Sequence, residues 1–276
     1  MVKGPGLYSD IGKRTRDLLT KDFYHDHKFT ITSTSPSGLT FTSTGIKKGE
    51  QFAGELNTQF KNNNVIVDVK VDTNSNIYST ITVDEIAQGA KTIFTFTIPD
   101  QKTGKGEFQY YHDYAGVATS IGLTSSPLVH INGAIGSDGI AIGGEASFDT
   151  ASGNFTKYNA GIGFTKPDFS AAVQLTDKGD IVKASYSHTV SPLTRTTVGA
   201  EIAHIFSSNE NTFTIGGLYA LDQLTTVKAR LNNNGKLGAL IQHEWRPKSL
   251  LTLSGEINTK ALENNAKFGL ALALKL

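Results

Sequence analysis

Few side chains in this sequence stand at spacings that could carry out chemistry. His25-x-His27 alone suggests a metal site, and no third ligand accompanies it. The other histidines are scattered. Gly161-x-Gly163 and Gly143-Gly144 have the glycine density of a phosphate loop but no strand-to-helix context, so they read as sheet glycines. Asp84-Glu85 is a single acidic pair at a turn, short of the two positioned carboxylates that general acid–base work needs. Cysteine is absent, which excludes disulfides, thiolate metal ligands and a cysteine nucleophile. Asn154-Phe155-Thr156 fits a glycosylation sequon. However, the N-terminal MVKGPGLYSDIGKRTRDLLTKDF lacks the apolar core of a secretory signal, and Asp10, Asp17 and Asp22 set it apart from an acid-poor transit peptide. The expectation is neither an enzyme nor a cofactor-binding protein.

What the chain does offer is charge on alternate residues. From Lys28 onward the period is two. Phe29 and Ile31, Leu39 and Phe41, then Phe52, Leu56 and Phe60 share one parity. Val65, Val67, Val69 and Val71 continue it, as do Phe94, Phe96 and Ile98, and at the end Phe268, Leu270, Leu272 and Leu274. The opposite parity carries Glu55, Lys61, Asp68, Lys70, Lys91, Glu145, Lys183, Arg195, Glu201, Lys228, Arg230, Lys236, Glu244 and Lys267. Bases outnumber acids in that set. The whole chain is nearly balanced, with a formal net charge of +1, so nothing argues for a nucleic-acid partner.

The elements that carry these side chains are strands joined by tight turns. Pro36-Ser37-Gly38, Asn62-Asn63-Asn64, Asn74-Ser75-Asn76, Asp138-Gly139, Ser152-Gly153-Asn154, Lys178-Gly179-Asp180, Asn234-Gly235 and Asn264-Asn265 separate the runs. Nineteen runs are expected, starting near 28, 39, 51, 64, 77, 90, 105, 115, 128, 140, 154, 168, 181, 194, 211, 225, 236, 250 and 266. Their mean repeat of about 13 residues suits a tilted membrane-spanning strand plus a short turn. Closing so many strands leaves a lumen too wide for side chains to fill. That space must hold water, so the charged parity faces inward and the apolar parity meets lipid. The fold expected is an all-β transmembrane β-barrel over residues 26–276, one domain. A soluble lipid-binding barrel is the poorer alternative, because about 8–10 strands would close it.

Residues 1–25 form the remaining segment. Leu7, Tyr8, Ile11, Leu18 and Leu19 recur at helical spacing behind a candidate N-cap at Ser9, and Lys13, Arg14, Arg16 and Asp17 hold the other face. This predicts a short amphipathic α-helix, either docked on the barrel or lying in the lumen and narrowing it. Lys13, Arg14 and Arg16 then join Lys61, Lys70, Lys91, Lys183, Arg195, Lys228, Arg230 and Lys236 as pore-lining bases. Such a lining attracts anions, and screening over about 8 Å in a wide pore keeps the preference mild.

These features meet in a known family. GLYSDIGKRTRDLLTKDF resembles the N-terminal helix segment of voltage-dependent anion channels, the mitochondrial outer-membrane porins, and GLTFTSTG resembles their early hairpin. Tyr219, Asp222, Thr225, Ala229, Arg230, Leu231, Asn232 and Asn233 fall at the spacing of the eukaryotic porin signature, with Gln223 departing from its usual residue. The final KFGLALAL is similar to the sorting signal of mitochondrial barrels through Lys267, Gly269, Leu272 and Leu274. The resemblance covers the whole chain and is closest to plant members. Family barrels have 19 strands, so the count and the resemblance are not independent.

The resemblance implies mitochondrial outer-membrane insertion without a cleaved presequence, a helix folded into the lumen, reversible closure under voltage, and parallel pairing of the first and last strands. It implies permeation by anionic metabolites and nucleotides such as ATP and ADP, contact with lipid and sterol, and docking of kinases or further copies of the chain. Gly89-Ala90-Lys91 resembles a Gly-Leu-Lys motif linked to nucleotide contact, with alanine for leucine. The lipid-facing glutamate of some animal members falls on Val69, so functions tied to that carboxylate are not expected. Two alternatives stay open: a polypeptide-conducting barrel, which would want a longer N-terminal region and a more acidic lumen, and a docking platform in which conduction is secondary.

Overall fold

The computed structural model describes residues 4–100, 103–260 and 266–276. Its nineteen strands are β1 (His27–Thr34), β2 (Leu39–Lys48), β3 (Gln51–Asn62), β4 (Val65–Asp72), β5 (Ile77–Asp84), β6 (Ala90–Ile98), β7 (Lys105–Tyr111), β8 (Ala115–Gly122), β9 (Leu128–Ser137) and β10 (Ile140–Asp149). They continue as β11 (Asn154–Thr165), β12 (Phe169–Thr176), β13 (Ile181–Ser191), β14 (Thr196–Ile205), β15 (Glu210–Ala220), β16 (Thr225–Asn232), β17 (Lys236–Arg246), β18 (Ser249–Asn258) and β19 (Lys267–Lys275). Each starts within two residues of the position expected from the alternation. The turn at Asn264-Asn265 lies outside the described residues.

Every strand pairs antiparallel with its sequence neighbours, and the sheet closes between β1 and β19. An up-and-down barrel with an odd strand number must close on one parallel pair. Here that pair runs from His27 opposite Leu270 to Thr32 opposite Lys275. Closure leaves no free edge, so the barrel's backbone groups can bond strand to strand, as a bilayer interior requires.

Register carries one face around the whole barrel. Thr44 opposes Glu55, Asn57 opposes Lys70, Asp84 opposes Lys91, Gln174 opposes Lys183 and Gly216 opposes Arg230. Polar and small residues fall on this inner face. The other face is apolar and open, with Phe29, Phe41, Phe60, Phe94 and Phe96 all exposed. Large exposed hydrophobics on nearly every strand make sense only against lipid.

Turn chemistry pins the register. Asp138 and Gly139 have φ of 53° and 86°, so both central residues of the β9–β10 hairpin are left-handed, as a two-residue turn of this kind requires.

The packed interior is not between sheets. Leu7, Tyr8, Ile11, Leu18, Leu19 and Phe23 are buried between the N-terminal segment and the inner wall. That segment has a 3-10 turn at Tyr8–Asp10 and one helix, α1 (Lys13–Thr20). Ser9 is not its N-cap, contrary to expectation. Gly12 is, with φ of 69°, because a left-handed residue is needed where the turn hands over to the helix.

Candidate functional site: the lumen and its N-terminal segment

The N-terminal segment rests on the wall from β8 to β19 because that wall lacks side chains where it passes. A Cβ added at Gly161 would stand 3.2 Å from the Tyr8 ring, and one at Gly163 would stand 3.1 Å from Ile11. At Gly199 it would meet Leu18 at 2.8 Å, at Gly216 Leu19 at 2.7 Å, and at Gly238 Phe23 at 3.3 Å. Gly116 and Gly269 lie directly under the carbonyls of Gly6 and Tyr24. The pair Gly161-x-Gly163 is therefore a seat for the segment, a use that no local motif in the sequence signals.

Polar clamps hold both ends. The Tyr8 amide donates to Asn132 Oδ1 at 2.9 Å, and Gln174 Nε2 donates to the Ile11 carbonyl at 3.2 Å. Arg14 spans to the wall, donating to the Lys166 carbonyl at 3.0 Å and to Thr189 Oγ1 at 2.6 Å. At the helix C-terminal end, Lys228 donates to the Lys21 carbonyl and to Asp22 Oδ2, each at 3.3 Å. Arg230 donates to the Leu19 carbonyl and Glu256, with its guanidinium 4.3 Å from the Phe23 ring centroid. Cations there satisfy carbonyls that the last helical turn leaves unbonded and meet the negative end of the helix dipole.

The eleven expected pore-lining bases therefore divide by environment. Lys228 and Arg230 lie beneath the segment as anchors. Lys13 pairs with Asp10 at 3.2 Å, and Arg16 turns back to the Ser9 carbonyl at 2.9 Å. Lys70 pairs with Glu55 at 2.8 Å. Lys61, Lys91, Lys183 and Lys236 share the inner face and have no salt-bridge partner among the described residues. Arg195 stands in the turn before β14 with φ of 47°, so strand parity does not apply to it. Its guanidinium reaches the Gln223 carbonyl at 3.2 Å at the barrel rim.

Further inner-face charges lie outside the expected set. Lys28 opposes Ile46 and has no ion partner among the described residues, while Lys105 pairs with Glu107 at 3.0 Å and Lys157 with Glu145 at 2.7 Å. Glu256 is the carboxylate that receives Arg230. Alternation within β1, β7, β11 and β18 carried the signal for all of them. Pairing with a partner strand decides which are neutralised, and no run of sequence states that.

Of the nucleotide-contact candidates, Gly89 closes the turn before β6 with φ of 77°, under the Tyr111 carbonyl, and Lys91 opens onto the lumen opposite Asp84. In the candidate sorting segment Lys267 and Gly269 face inward while Leu272 and Leu274 face lipid. The porin signature spans the end of β15, a turn and β16. Asp222 Oδ1 accepts the amides of Leu224 at 2.7 Å and Thr225 at 2.6 Å, and these bonds, Leu224's foremost, hold its carboxyl below the usual range.

Comparison with known proteins agrees with this architecture. Residues 4–269 match the model of the eukaryotic porin family. A mitochondrial outer membrane porin of 36 kDa from Solanum tuberosum is 63% identical over 275 residues, 100% of both chains. Mitochondrial outer membrane protein porin 1 of Arabidopsis thaliana is 54% identical, and an outer plastidial membrane porin of Pisum sativum 56%, each over 100% of both chains. Among solved structures, a Rhodopseudomonas blastica porin mutant matches with a TM-score of 0.50 and 12% identity, covering 79% of this chain and 88% of that one, a likeness of fold alone. The chain belongs to the eukaryotic porin family, and it is a pore-forming barrel of the mitochondrial outer membrane.

Proposed function

We propose that this porin is a voltage-gated, weakly anion-selective pore for small metabolites, adenine nucleotides among them. One observation carries the reading. On the inner face Lys28, Lys61, Lys91, Lys183, Lys236 and Lys267, with Arg14 and Arg16 of the N-terminal segment, have no salt-bridged carboxylate among the described residues. With Lys48 and Lys275, which share that face, they outnumber the carboxylates in the same position, Asp17, Asp68, Asp72, Asp84, Asp149, Glu201, Glu210 and Glu244. The excess is small and the lumen wide, so the field favours anions mildly and excludes nothing by charge alone. Gly89 and Lys91 form a phosphate-contact point on the wall opposite the N-terminal segment. The outer wall and rims are the surfaces for lipid, sterol, kinases and further copies of the chain.

The test is release from liposomes loaded with ATP or with a polyamine of similar size. The reading expects ATP to leave faster in protein-containing liposomes, with both solutes retained in protein-free ones. Equal release, or faster release of the polyamine, overturns it.

A further inference from the structure

A β-bulge decides where Arg246 points. On β17 Glu244 opposes Leu250 and the next pair is Arg246 with Ser249, so Trp245 is an extra residue. Plain alternation would send Arg246 into the lumen with Glu244. The inserted residue turns it outward, a re-aiming common for bulges at barrel rims. Its guanidinium lies 5.6 Å from the Trp245 ring centroid, and the ring is 49% exposed. Arg246 has no carboxylate partner among the described residues. A base has been taken out of the water-filled lumen and placed on an aromatic ring at the lipid edge.

The neighbourhood is ordered along the bilayer normal. Thr225 Oγ1 and His243 Nδ1, 2.9 Å apart, share the outward face two residues deeper than Trp245. At the rim, Leu193 and Leu224 are 96% and 52% exposed. Arg195 reaches the Gln223 carbonyl, and the Leu224 carbonyl accepts the Glu244 amide at 2.8 Å, so the three turns form one tied surface. Among the described residues, two side-chain carboxylates belong to these turns and strand ends. Asp222 is engaged by the Leu224 and Thr225 amides, and Glu244, on the inner face, by the Lys248 amide. Arg195, Arg246 and Lys248 leave the rim net basic.

We propose that this edge, over β13 to β18, is a headgroup site for an anionic phospholipid. Arg246 takes the phosphate, and the Trp245 ring lies against the glycerol and upper acyl chain. Apolar surface, then hydroxyl and imidazole, then guanidinium is the order in which a phospholipid presents its own chemistry. The site stands apart from ion selectivity, and its failure leaves the pore reading untouched.

Trp245 is the only tryptophan, so its fluorescence reports this site alone. The full chain is refolded into phosphatidylcholine vesicles containing a minor fraction of phosphatidylglycerol, with upper-chain bromine carried by one lipid or the other. The proposal expects the brominated anionic lipid to quench Trp245 as if enriched there about fivefold over its bulk fraction. Arg246→Gln should return the enrichment to one, and Arg246→Lys should keep part of it. Soluble glycerol phosphate should not compete. Quenching in proportion to bulk composition, or competition by glycerol phosphate, overturns the proposal. If Arg246→Gln does not fold, the salt dependence of the wild type decides. Enrichment that falls in molar KCl supports a phosphate contact, and enrichment indifferent to salt refutes it.

Discussion

Arg230 donates through Nη1 to the carbonyl of Leu19 at 2.7 Å, while its Nη2 reaches Glu256 at 2.7 Å. One guanidinium thus ties the last turn of α1 to β18, and Phe23 covers its face. Arg230→Gln removes the helix bond and leaves Glu256 with His25, at 3.9 Å, as its one remaining salt-bridge contact among the described residues. The cost to docking of the segment should be about 1–3 kcal/mol. Amide exchange at Leu18 to Lys21 should quicken accordingly while the barrel amides keep their protection. Unchanged exchange there would mean that the anchor is not one.

The glycine seat makes a steric prediction. A methyl group at Gly199 would lie 2.8 Å from Leu18 Cδ2, whereas one at Gly255, on the lipid face, meets Phe268 no closer than 3.5 Å. Gly199→Ala should lift the helix, costing about 1–3 kcal/mol, and Gly255→Ala should be near neutral. Spin labels at Lys13 and Lys91 report the lift as a changed and broadened distance. Identical distance distributions in both variants would count against the seat.

Charge reversal separates selectivity bases from anchoring bases. Lys61→Glu with Lys91→Glu should lower the chloride preference with little effect on the helix, because neither lysine touches the segment. Lys228→Glu should instead dislodge the segment, placing a carboxylate beside Asp22 and the Lys21 carbonyl. Single-channel recording together with amide exchange distinguishes the two outcomes. Equal helix disturbance in both would contradict the division.

Most of the barrel was legible because alternation is local. A strand with two unlike faces repeats every second residue whatever its partner, so β4 with its four valines could be read alone. The nineteen-strand total follows from the family resemblance as much as from the alternation. What was hidden depends on register or on insertions. Lys228 and Arg230 have lumen parity like Lys61, but only pairing and the path of the N-terminal segment put them beneath the helix. Trp245 inverts the parity after it, so Arg246 could not be placed by counting. Arg195 sits in a turn that the run near 194 absorbed. Ser9 looked like a cap by residue type, yet Gly12 had the backbone freedom that the junction needed. The lumen glycines carry no pattern of their own, because what they accommodate is distant in sequence.

Asp222 makes the signature turn sensitive to acid. Its carboxyl titrates below the ordinary range because the Leu224 and Thr225 amides favour the charged form. A depressed native value means the stabilisation is complete above the unfolded value, about 3.9, and disappears as pH falls through the lower native one. Wild type should therefore melt above Asp222→Asn at neutral pH, the two curves converging only below about pH 4. Melting points that differ equally at acid and neutral pH would show that the carboxylate charge is not the cause.

The central claim is that unneutralised lysines, not carboxylates, set the field in the lumen. The direct measurement is the reversal potential of single refolded channels across a planar bilayer with asymmetric KCl, at both voltage signs. A modest potential favouring chloride, with conductance falling to a substate at higher voltage of either sign, is the predicted result. A reversal potential at zero or favouring potassium would contradict it, because Lys28, Lys61, Lys91, Lys183, Lys236 and Lys267 would then have no governing effect on what passes.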